Sequence, residues 1–196
     1  MREEAGANML RHREQQGFTL IELVIVVIIL GLLAAAAVPR FVDVRDDAED
    51  ASVEGIAGGY ASAVSLVRAQ WELEGGNSGG IVYSGNGFGV DPDTGYPTGG
   101  SPNSNNQDTQ IDDSDCVYMM ENLLQSAPTV TNNFGNISET RLFGKVVGRS
   151  EADGGDQCFY YLSSTIVNQG AAPNDDSIGS GLIYTARTGS VVVFQN

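Results

Sequence analysis

Residues 17–39 read GFTLIELVIVVIILGLLAAAAVP, and this apolar stretch decides how the rest of the chain is interpreted. Nothing between Leu23 and Val38 is charged or strongly polar. A helix needs about 20 apolar residues to cross the hydrocarbon core of a bilayer, so the stretch is long enough to span one. Its one carboxylate, Glu22, is unusual, because an ionised side chain in a membrane is costly unless it has a partner or a function. The plainer interpretation is a signal anchor with Glu22 at its shallow edge.

The position of Glu22 relative to Gly17 indicates a partner for the carboxylate. A cut between Gly17 and Phe18 creates an α-ammonium one helical turn before Glu22. Residues four apart share a helix face, so the ammonium and the carboxylate would lie on the same side. The carboxylate then pairs with this ammonium or with that of a neighbouring copy.

The sequence GFTLIE at residues 17–22, followed by a long apolar helix with Gly31 and Pro39, resembles the N-terminal signature of type IV prepilins. The signature consists of a Gly/Phe junction, a glutamate at the fifth position after it, and an apolar run that begins after the cut. The resemblance implies the type IV pilin fold, in the α+β class. In that fold a long N-terminal helix packs on a small antiparallel sheet that carries one disulfide.

The resemblance also implies how the chain matures and assembles. A prepilin peptidase would cut after Gly17, and Phe18 would be N-methylated. Glu22 would pair with the amine of an adjacent subunit, and Gly31 and Pro39 would lie in the half of the helix that assembles. The precursor would be a single-pass inner-membrane protein, and the product an extracellular pilus on a bacterial cell.

Residues 1–17 are interpreted as the leader peptide that maturation removes, and they are left out of the fold. The basic sequence at residues 11–13 stands just before the apolar run and favours a cytoplasmic N-terminus. Met9 offers a shorter leader, and we treat translation from Met9 as a hypothesis that N-terminal sequencing of the precursor tests.

Apolar residues continue beyond Pro39 at helical spacing and predict one helix from Phe18 to Glu74, ended by the glycines at 75–76. The predicted apolar face contains these positions: Phe41, Val44, Ala48, Ala51, Ile56, Tyr60, Val64, Val67 and Trp71. Pro39 lacks a backbone donor and is predicted to kink the helix. The resemblance implies that residues 18–39 lie in the membrane or filament core and that residues 40–74 pack on the head.

The predicted head comprises residues 75–196. Its first part, 75–115, is rich in glycine and asparagine and is predicted to be a polar loop with one short strand at 81–83. Its second part, 116–196, begins with apolar residues at helical spacing over 116–125. Four strand patterns follow, at 141–147, 157–162, 182–186 and 190–194, and the last two are joined by a hairpin signal at 187–189.

The chain has two cysteines, Cys116 and Cys158. In an exported protein an even number of cysteines favours a disulfide, with two buried free thiols as the alternative. A bond between them would join the short helix to a strand of the sheet.

The net charge of −15 argues against a broad nucleic-acid surface, because residues 18–196 carry seven basic and 22 acidic side chains. His12 is the one histidine and lies in the leader, so His-ligated metals and His-based catalysis are not expected. Asp112, Asp113 and Asp115 lack the spacing of an EF-hand. No nucleophile elbow or phosphate loop is present. We therefore expect no enzyme, cofactor or metal site.

Residues 39–71 most resemble the mannose-sensitive haemagglutinin (MSHA) pilin group. The opening Pro-Arg-Phe, the acidic stretch and the late Trp71 carry this resemblance. It implies a fibre subunit that associates with itself and with other pilins and is used for surface attachment.

Four alternatives stay open. One is a type II secretion pseudopilin, which shares the signature at 17–22. Another is a minor pilin for DNA uptake, with a basic spot drawn from Arg141, Lys145, Arg149 and Arg187. The third is an anchored enzyme that uses a carboxylate pair. The last is electron conduction along aromatic side chains, for which packing is the plainer interpretation: Phe18, Phe41, Tyr60 and Trp71.

Overall fold

A computed structural model describes residues 17–76, 79–100, 107–148 and 154–196, with the backbone alone at 39, 42, 43 and 46. The predicted leader lies outside these residues apart from Gly17, and so do Met9, His12 and Arg149. The chain divides into two compact units, Met1–Asp46 and Asp47–Asn196.

Helix α1 spans Leu20–Leu73 and agrees to within two residues at each end with the helix predicted from the sequence. Its helical structure continues through Pro39, and the kink expected there stays a prediction. The helix ends where Gly75 and Gly76 adopt positive φ values of 105° and 66°, which side chains other than glycine rarely adopt.

The buried face of α1 differs in phase from the predicted one over its middle part. Tyr60, Val64, Val67 and Trp71 are buried as expected, whereas Ala48 and Ala51 are exposed. Their places on the face are taken by Val53 and Ala57, seven and three residues before Tyr60. A period of 3.6 residues counted back from Tyr60 leads to these two positions. Two further residues of the predicted face, Phe41 and Val44, are also exposed.

The glycine-rich stretch predicted to be a loop forms a three-stranded antiparallel sheet over much of its length. Its strands are β1 (Gly80–Tyr83), β2 (Asn86–Val90) and β3 (Pro97–Gly99). The strand predicted at 81–83 is confirmed as β1, whereas β2 and β3 were missed because they are short, contain glycine and show little alternation. β1 and β2 meet at a two-residue turn in which Ser84 and Gly85 both have positive φ, and such turns match the twist of paired strands.

Tertiary contacts hold this small sheet in place. Phe88 is fully buried, with its ring centroid 5.6 Å from that of Tyr118 and 6.3 Å from that of Tyr83. Trp71 packs against the backbone at Gly76 and Gly95, and a Cβ at Gly95 would overlap the indole ring. The stability of the sheet therefore comes from aromatic residues on other elements, which a local sequence pattern does not reveal.

Helix α2 spans Asp113–Leu123, so it begins three residues before the predicted start. Asp112 is its N-cap and accepts a hydrogen bond from the Asp115 amide at 2.9 Å, while Asp115 accepts one from the Asp112 amide at 3.1 Å. Asp113 accepts a bond at 2.7 Å from the amide of Val146. The three aspartates considered for calcium thus cap a helix and dock it on a strand.

The larger sheet has five strands in the order β4–β5–β6–β7–β8. The last four agree closely with prediction: β5 (Leu142–Val147), β6 (Gln157–Leu162), β7 (Ser180–Thr185) and β8 (Ser190–Gln195). The first, β4 (Val130–Thr131), was missed, and it pairs with β5 in parallel. The expectation of a wholly antiparallel sheet was therefore wrong at this edge. Two short helices were also missed, a 3-10 helix at Phe134–Glu139 and α3 at Ser163–Ile166.

The core of the second unit lies between α1 and the larger sheet. Three tyrosines from α1, β6 and β7 meet there, namely Tyr60, Tyr160 and Tyr184, and all three are fully buried. Beside them the predicted disulfide joins Cys116 on α2 to Cys158 on β6. The α+β prediction, with a helix packed on a sheet and one disulfide, is confirmed.

Candidate functional site

The site predicted by the sequence is the apolar start of α1. Leu20–Val38 is the described segment long and apolar enough to cross a membrane, judged by length and composition. Its large side chains are exposed, from Val24 at 43% to Leu20 at 80%. A soluble monomer rarely exposes so much contiguous apolar surface, so this segment requires lipid or a protein partner.

Glu22 lies near the beginning of this segment and is exposed. Its Oε2 accepts hydrogen bonds from the Thr19 amide at 2.9 Å and from the Thr19 hydroxyl at 2.8 Å. The Thr19 Oγ1 in turn accepts a bond from the Glu22 amide at 3.3 Å. This reciprocal pattern is a capping box, and it begins α1.

The sequence predicts an ammonium partner for Glu22, and the structure shows Thr19 as its hydrogen-bond partner. The Thr-Leu-Ile-Glu sequence at residues 19–22 has the capping-box spacing, so this signal was present. In the uncut chain the capping box aims the carboxylate back towards the N-terminus of the helix. A free ammonium at Phe18 would be created next to Thr19.

The other predicted positions of the segment are open to contact. Phe18 is 88% exposed. Gly17 and Gly31 have no non-neighbouring heavy atom within 4 Å of where a Cβ would stand. A helix backbone without a side chain lets another helix approach closely, and Gly31 provides such a place within the apolar run.

Two of the residues considered for a basic DNA-binding spot, Arg141 and Arg187, have partners within the molecule. Arg187 forms an ion pair with Asp108 at 3.1 Å. Arg141 donates to the Ser52 hydroxyl on α1. Both side chains are engaged within the molecule, and a phosphate would have to compete with these partners.

A small polar cleft of about 90 Å³, which the sequence does not predict, is lined by Arg187 and by the loops around Asp91 and Asp108. Asp91 is buried there and accepts hydrogen bonds from three amides, those of Asp93, Thr94 and Asp108, at 2.9–3.0 Å. Asp156 is also buried and accepts a bond from the Ile111 amide at 3.1 Å. These carboxylates hold the loops around β2 and β6 together. Among the described residues no cluster of three or more His, Cys, Asp or Glu side chains is arranged to hold a metal ion.

Comparison with known protein families finds a match at the N-terminal part of the chain. The prokaryotic N-terminal methylation motif matches residues 12–38, the region that contains Gly17, Phe18 and Glu22. The N-terminal segment is homologous to that of type IV pilins. The type IV narrow pilus major component PilA5 of Thermus thermophilus is 51% identical over 55 residues, which cover 28% of this chain and 47% of PilA5.

Two further relatives show the breadth of the pilin-like group. The type IV major pilin protein PilE1 of Neisseria gonorrhoeae is 41% identical over 71 residues, or 35% of this chain and 42% of PilE1. The type II secretion system core protein G of Pseudomonas aeruginosa is 39% identical over 59 residues, or 30% of this chain and 42% of that protein. The matched part is less than half the length of these relatives. No solved structure matches the chain.

The pilin-like resemblance stated from residues 17–22 is therefore confirmed. The matched proteins are pilus subunits and a secretion-system core protein rather than enzymes, in agreement with the expected structural role. The pseudopilin alternative also has a homologue. The MSHA group and the roles of individual residues stay predictions.

Proposed function

We propose that this chain is the precursor of a structural subunit of a type IV pilus. A prepilin peptidase cuts it between Gly17 and Phe18, and Phe18 is then N-methylated. The observation that carries the proposal is the exposed apolar run of α1, Leu20–Val38, which lies within the matched methylation motif. Such a surface is stable in two environments, a lipid bilayer and a bundle of like helices.

The proposed mechanism transfers this surface from one environment to the other. Residues 18–39 hold the subunit in the inner membrane as a single span before assembly. On extraction the same residues enter a filament core made of this chain and other pilins. Residues 40–74 pack on the head, which residues 75–196 form and the filament exposes. The transfer adds little hydrophobic free energy, because the apolar side chains leave lipid for neighbouring helices.

Glu22 gives the assembly its register in this proposal. In the uncut chain its carboxylate accepts hydrogen bonds from the amide and the hydroxyl of Thr19. In the filament core it pairs with the Phe18 ammonium of an adjacent subunit. A carboxylate left unpaired among apolar helices costs several kcal/mol, so other registers are disfavoured. Gly31 allows a neighbouring helix to approach, and Pro39 adapts the helix to the packing of its neighbours.

We further propose that the pilus is MSHA-like and serves attachment to surfaces. The motif at residues 39–71 supports this finer assignment. The open alternative is a type II secretion pseudopilin, which the homology to core protein G supports. Fibres found on cells without a secretion system favour the pilus, whereas loss of protein secretion in a deletion strain favours the pseudopilin.

Intact-mass spectrometry of material sheared from cells tests the proposal. The expected mass is that of residues 18–196 plus one methyl group and minus the two hydrogens lost in the Cys116–Cys158 disulfide. A chain recovered with its leader, or found in the membrane fraction alone, would instead indicate an anchored protein that does not polymerise.

A further inference from the structure

A groove of about 270 Å³ lies between the β1–β2 hairpin and the C-terminal end of α2. The hairpin contributes Tyr83, Ser84 and Asn86, and the helix end contributes Glu121 and the residues that follow it as far as Gln125. Small-molecule pockets begin at about 300 Å³, so the groove is large enough for one small ring. Ser84, Glu121 and Gln125 are exposed at its rim, and a longer ligand could continue into solvent.

Contacts within the head fix the walls of this groove. The Tyr118 hydroxyl of α2 donates to the carbonyl of Gly87 on β2 at 2.8 Å, and the ring of Tyr118 packs against the buried Phe88. The Asn122 side-chain amide donates to the Tyr118 carbonyl at 2.9 Å, which orients the Asn122 side-chain oxygen. The groove is therefore formed before a ligand arrives, so binding costs little reorganisation.

The polar side chains of the groove have hydrogen-bonding capacity that the molecule does not use. Within the described part of the chain, the side chains of Ser84, Asn86 and Gln125 make no hydrogen bond to another residue. An amide side chain offers two donor hydrogens and an acceptor oxygen, and a hydroxyl both donates and accepts. The groove thus presents donors and acceptors together, and a matching ligand supplies both in return.

Charge limits what the ligand of this groove can be. Glu121 is the one charged side chain among the described residues that line it, and the chain as a whole has a net charge of −15. An anionic ligand would therefore be repelled. An ammonium group has donors and no acceptor, so it would leave the donors of Ser84, Asn86 and Gln125 unpaired. An uncharged ligand with both donors and acceptors fits best.

Sugar hydroxyls meet these requirements more closely than peptide groups do. Each hydroxyl of a pyranose ring both donates and accepts, and several of them project from one small ring. A peptide offers one donor and one acceptor per residue, spread over about 3.3 Å of extended chain. Tyr83 and Leu124 add apolar surface to the groove, against which the C–H groups of a sugar face can pack.

We propose that this groove binds an uncharged pyranose unit of a carbohydrate on the surface to which the cell attaches. Asn86 and Gln125 exchange hydrogen bonds with ring hydroxyls, Glu121 accepts from others, and Tyr83 and Leu124 contact the C–H face. The biological use of the site rests on the proposed attachment function. Binding itself involves residues of the head alone, so it depends on neither maturation nor polymerisation.

Saturation-transfer NMR tests the site on the full-length chain in an amine-oxide detergent, which has no sugar head group. The probes are the methyl glycosides of glucose, galactose, mannose and N-acetylglucosamine, each added singly. We expect at least one of them to bind with a millimolar dissociation constant, because its hydrogen bonds to the protein replace hydrogen bonds to water. Glucuronate, glucosamine and the peptide trialanine should bind more weakly than that sugar.

Two substitutions locate the binding site. Gln125→Ala removes a donor and an acceptor from the groove and should weaken binding of the sugar at least about fivefold. Gln169→Ala is the matched control, because it removes the side chain of another exposed glutamine that follows a short helix, outside the groove. It should leave the affinity unchanged. Glu121→Gln keeps the shape of the side chain, removes its charge and should weaken binding a few fold, since hydrogen bonds to a carboxylate are the stronger ones.

Three results would overturn the proposal. They are the absence of saturation transfer to every neutral sugar, equal affinity of the Gln125→Ala and Gln169→Ala variants, and tighter binding of glucosamine or trialanine than of any neutral sugar. The last result would assign the groove to a cationic or a peptide partner. Normal fibres without sugar binding would refute the carbohydrate site and leave the fibre proposal standing, whereas sugar binding without fibres would do the reverse.

Discussion

The hydroxyl groups of Tyr60 on α1 and Tyr160 on β6 lie 3.1 Å apart in the fully buried core of the head. The Tyr160 hydroxyl also donates to the carbonyl of Cys116 at 2.7 Å. Since a phenol has one proton, the Tyr60 hydroxyl is the donor in the bond between the two tyrosines. Burial raises the pKa of both phenols, so they remain protonated donors throughout the physiological range.

Because Tyr60 donates to Tyr160, removing one or the other hydroxyl should lower the free energy of unfolding by different amounts. Tyr60→Phe removes a donor and leaves Tyr160 bonded to Cys116, so it should lower the free energy of unfolding by about 1 kcal/mol. Tyr160→Phe leaves the buried Tyr60 hydroxyl without a partner and should cost about 2–3 kcal/mol. Urea unfolding of the full-length chain in detergent measures both values. The double variant should be less destabilised than the sum of the single variants, and additive effects would contradict the coupling.

The proposed role of Glu22 predicts that Glu22→Ala blocks filament formation after maturation is complete. The variant should still lose residues 1–17 and gain the methyl group, because the cut lies before the helix. Fibre yield in the sheared fraction should fall at least about tenfold, since a lost charge pairing in an apolar bundle exceeds 1.4 kcal/mol. Intact-mass spectrometry measures maturation, and electron microscopy of the sheared fraction measures fibre formation. Glu54→Ala removes an exposed carboxylate from the same helix and should assemble normally.

The capping box of α2 predicts opposite pH effects for its two aspartates. The hydrogen bond from the Ser114 hydroxyl lowers the pKa of Asp112, whereas burial raises that of Asp115. Stability contributed by Asp112 is therefore present above its unfolded pKa near 3.8 and is lost as the pH falls through the lower folded value. Stability linked to Asp115 is greatest at acid pH and is lost as the pH rises above 3.8 through the raised folded value.

Asparagine variants separate these two contributions, because asparagine also caps helices. Asp112→Asn should reduce the loss of stability below pH 3.8, and Asp115→Asn should reduce the loss above it. Thermal unfolding followed by circular dichroism, from about two pH units below to about two pH units above 3.8, measures the slopes. Slopes that change in the same direction in both variants would contradict the assignment.

Two glycines with positive φ allow the cost of a packing clash to be separated from the cost of backbone strain. Gly85 and Gly95 have φ values of 88° and 76°, so alanine at either position strains the backbone by about 1–2 kcal/mol. The Cβ of Gly95→Ala would also overlap the Trp71 ring, whereas that of Gly85→Ala would meet no other atom within 4 Å. We expect Gly95→Ala to be more destabilising by roughly 1–3 kcal/mol in urea unfolding. Equal losses would mean that the tryptophan moves aside at little cost.

Patterns that are long or strongly periodic were predicted well. The extent of α1, the four strands from β5 to β8 and the pairing of Cys116 with Cys158 follow from apolar spacing, turn residues and an even cysteine count. At the proposed assembly site, the apolar run and Glu22 were also evident from the sequence. In each case a property of neighbouring residues determines the structure.

The features that were missed depend on distant residues. β2 and β3 are held by Trp71 and Tyr118 rather than by their own alternation. The phase of the buried face of α1 is set by Tyr60 meeting the sheet, so Val53 and Ala57 are buried instead of Ala48 and Ala51. Asp91 and Asp156 are both buried, and each accepts a hydrogen bond from a distant backbone amide, 17 and 45 residues away respectively, a pairing that the local sequence does not reveal.

Trp71 is the one tryptophan of the chain, and its ring packs beside Gly76 and Gly95 at the end of α1. An indole shielded from water emits at a different wavelength from one in solvent. The chain therefore contains its own optical reporter, at the place where the long helix meets the small sheet. Its emission can be followed during processing, extraction from the membrane and incorporation into a fibre, and no added label is needed.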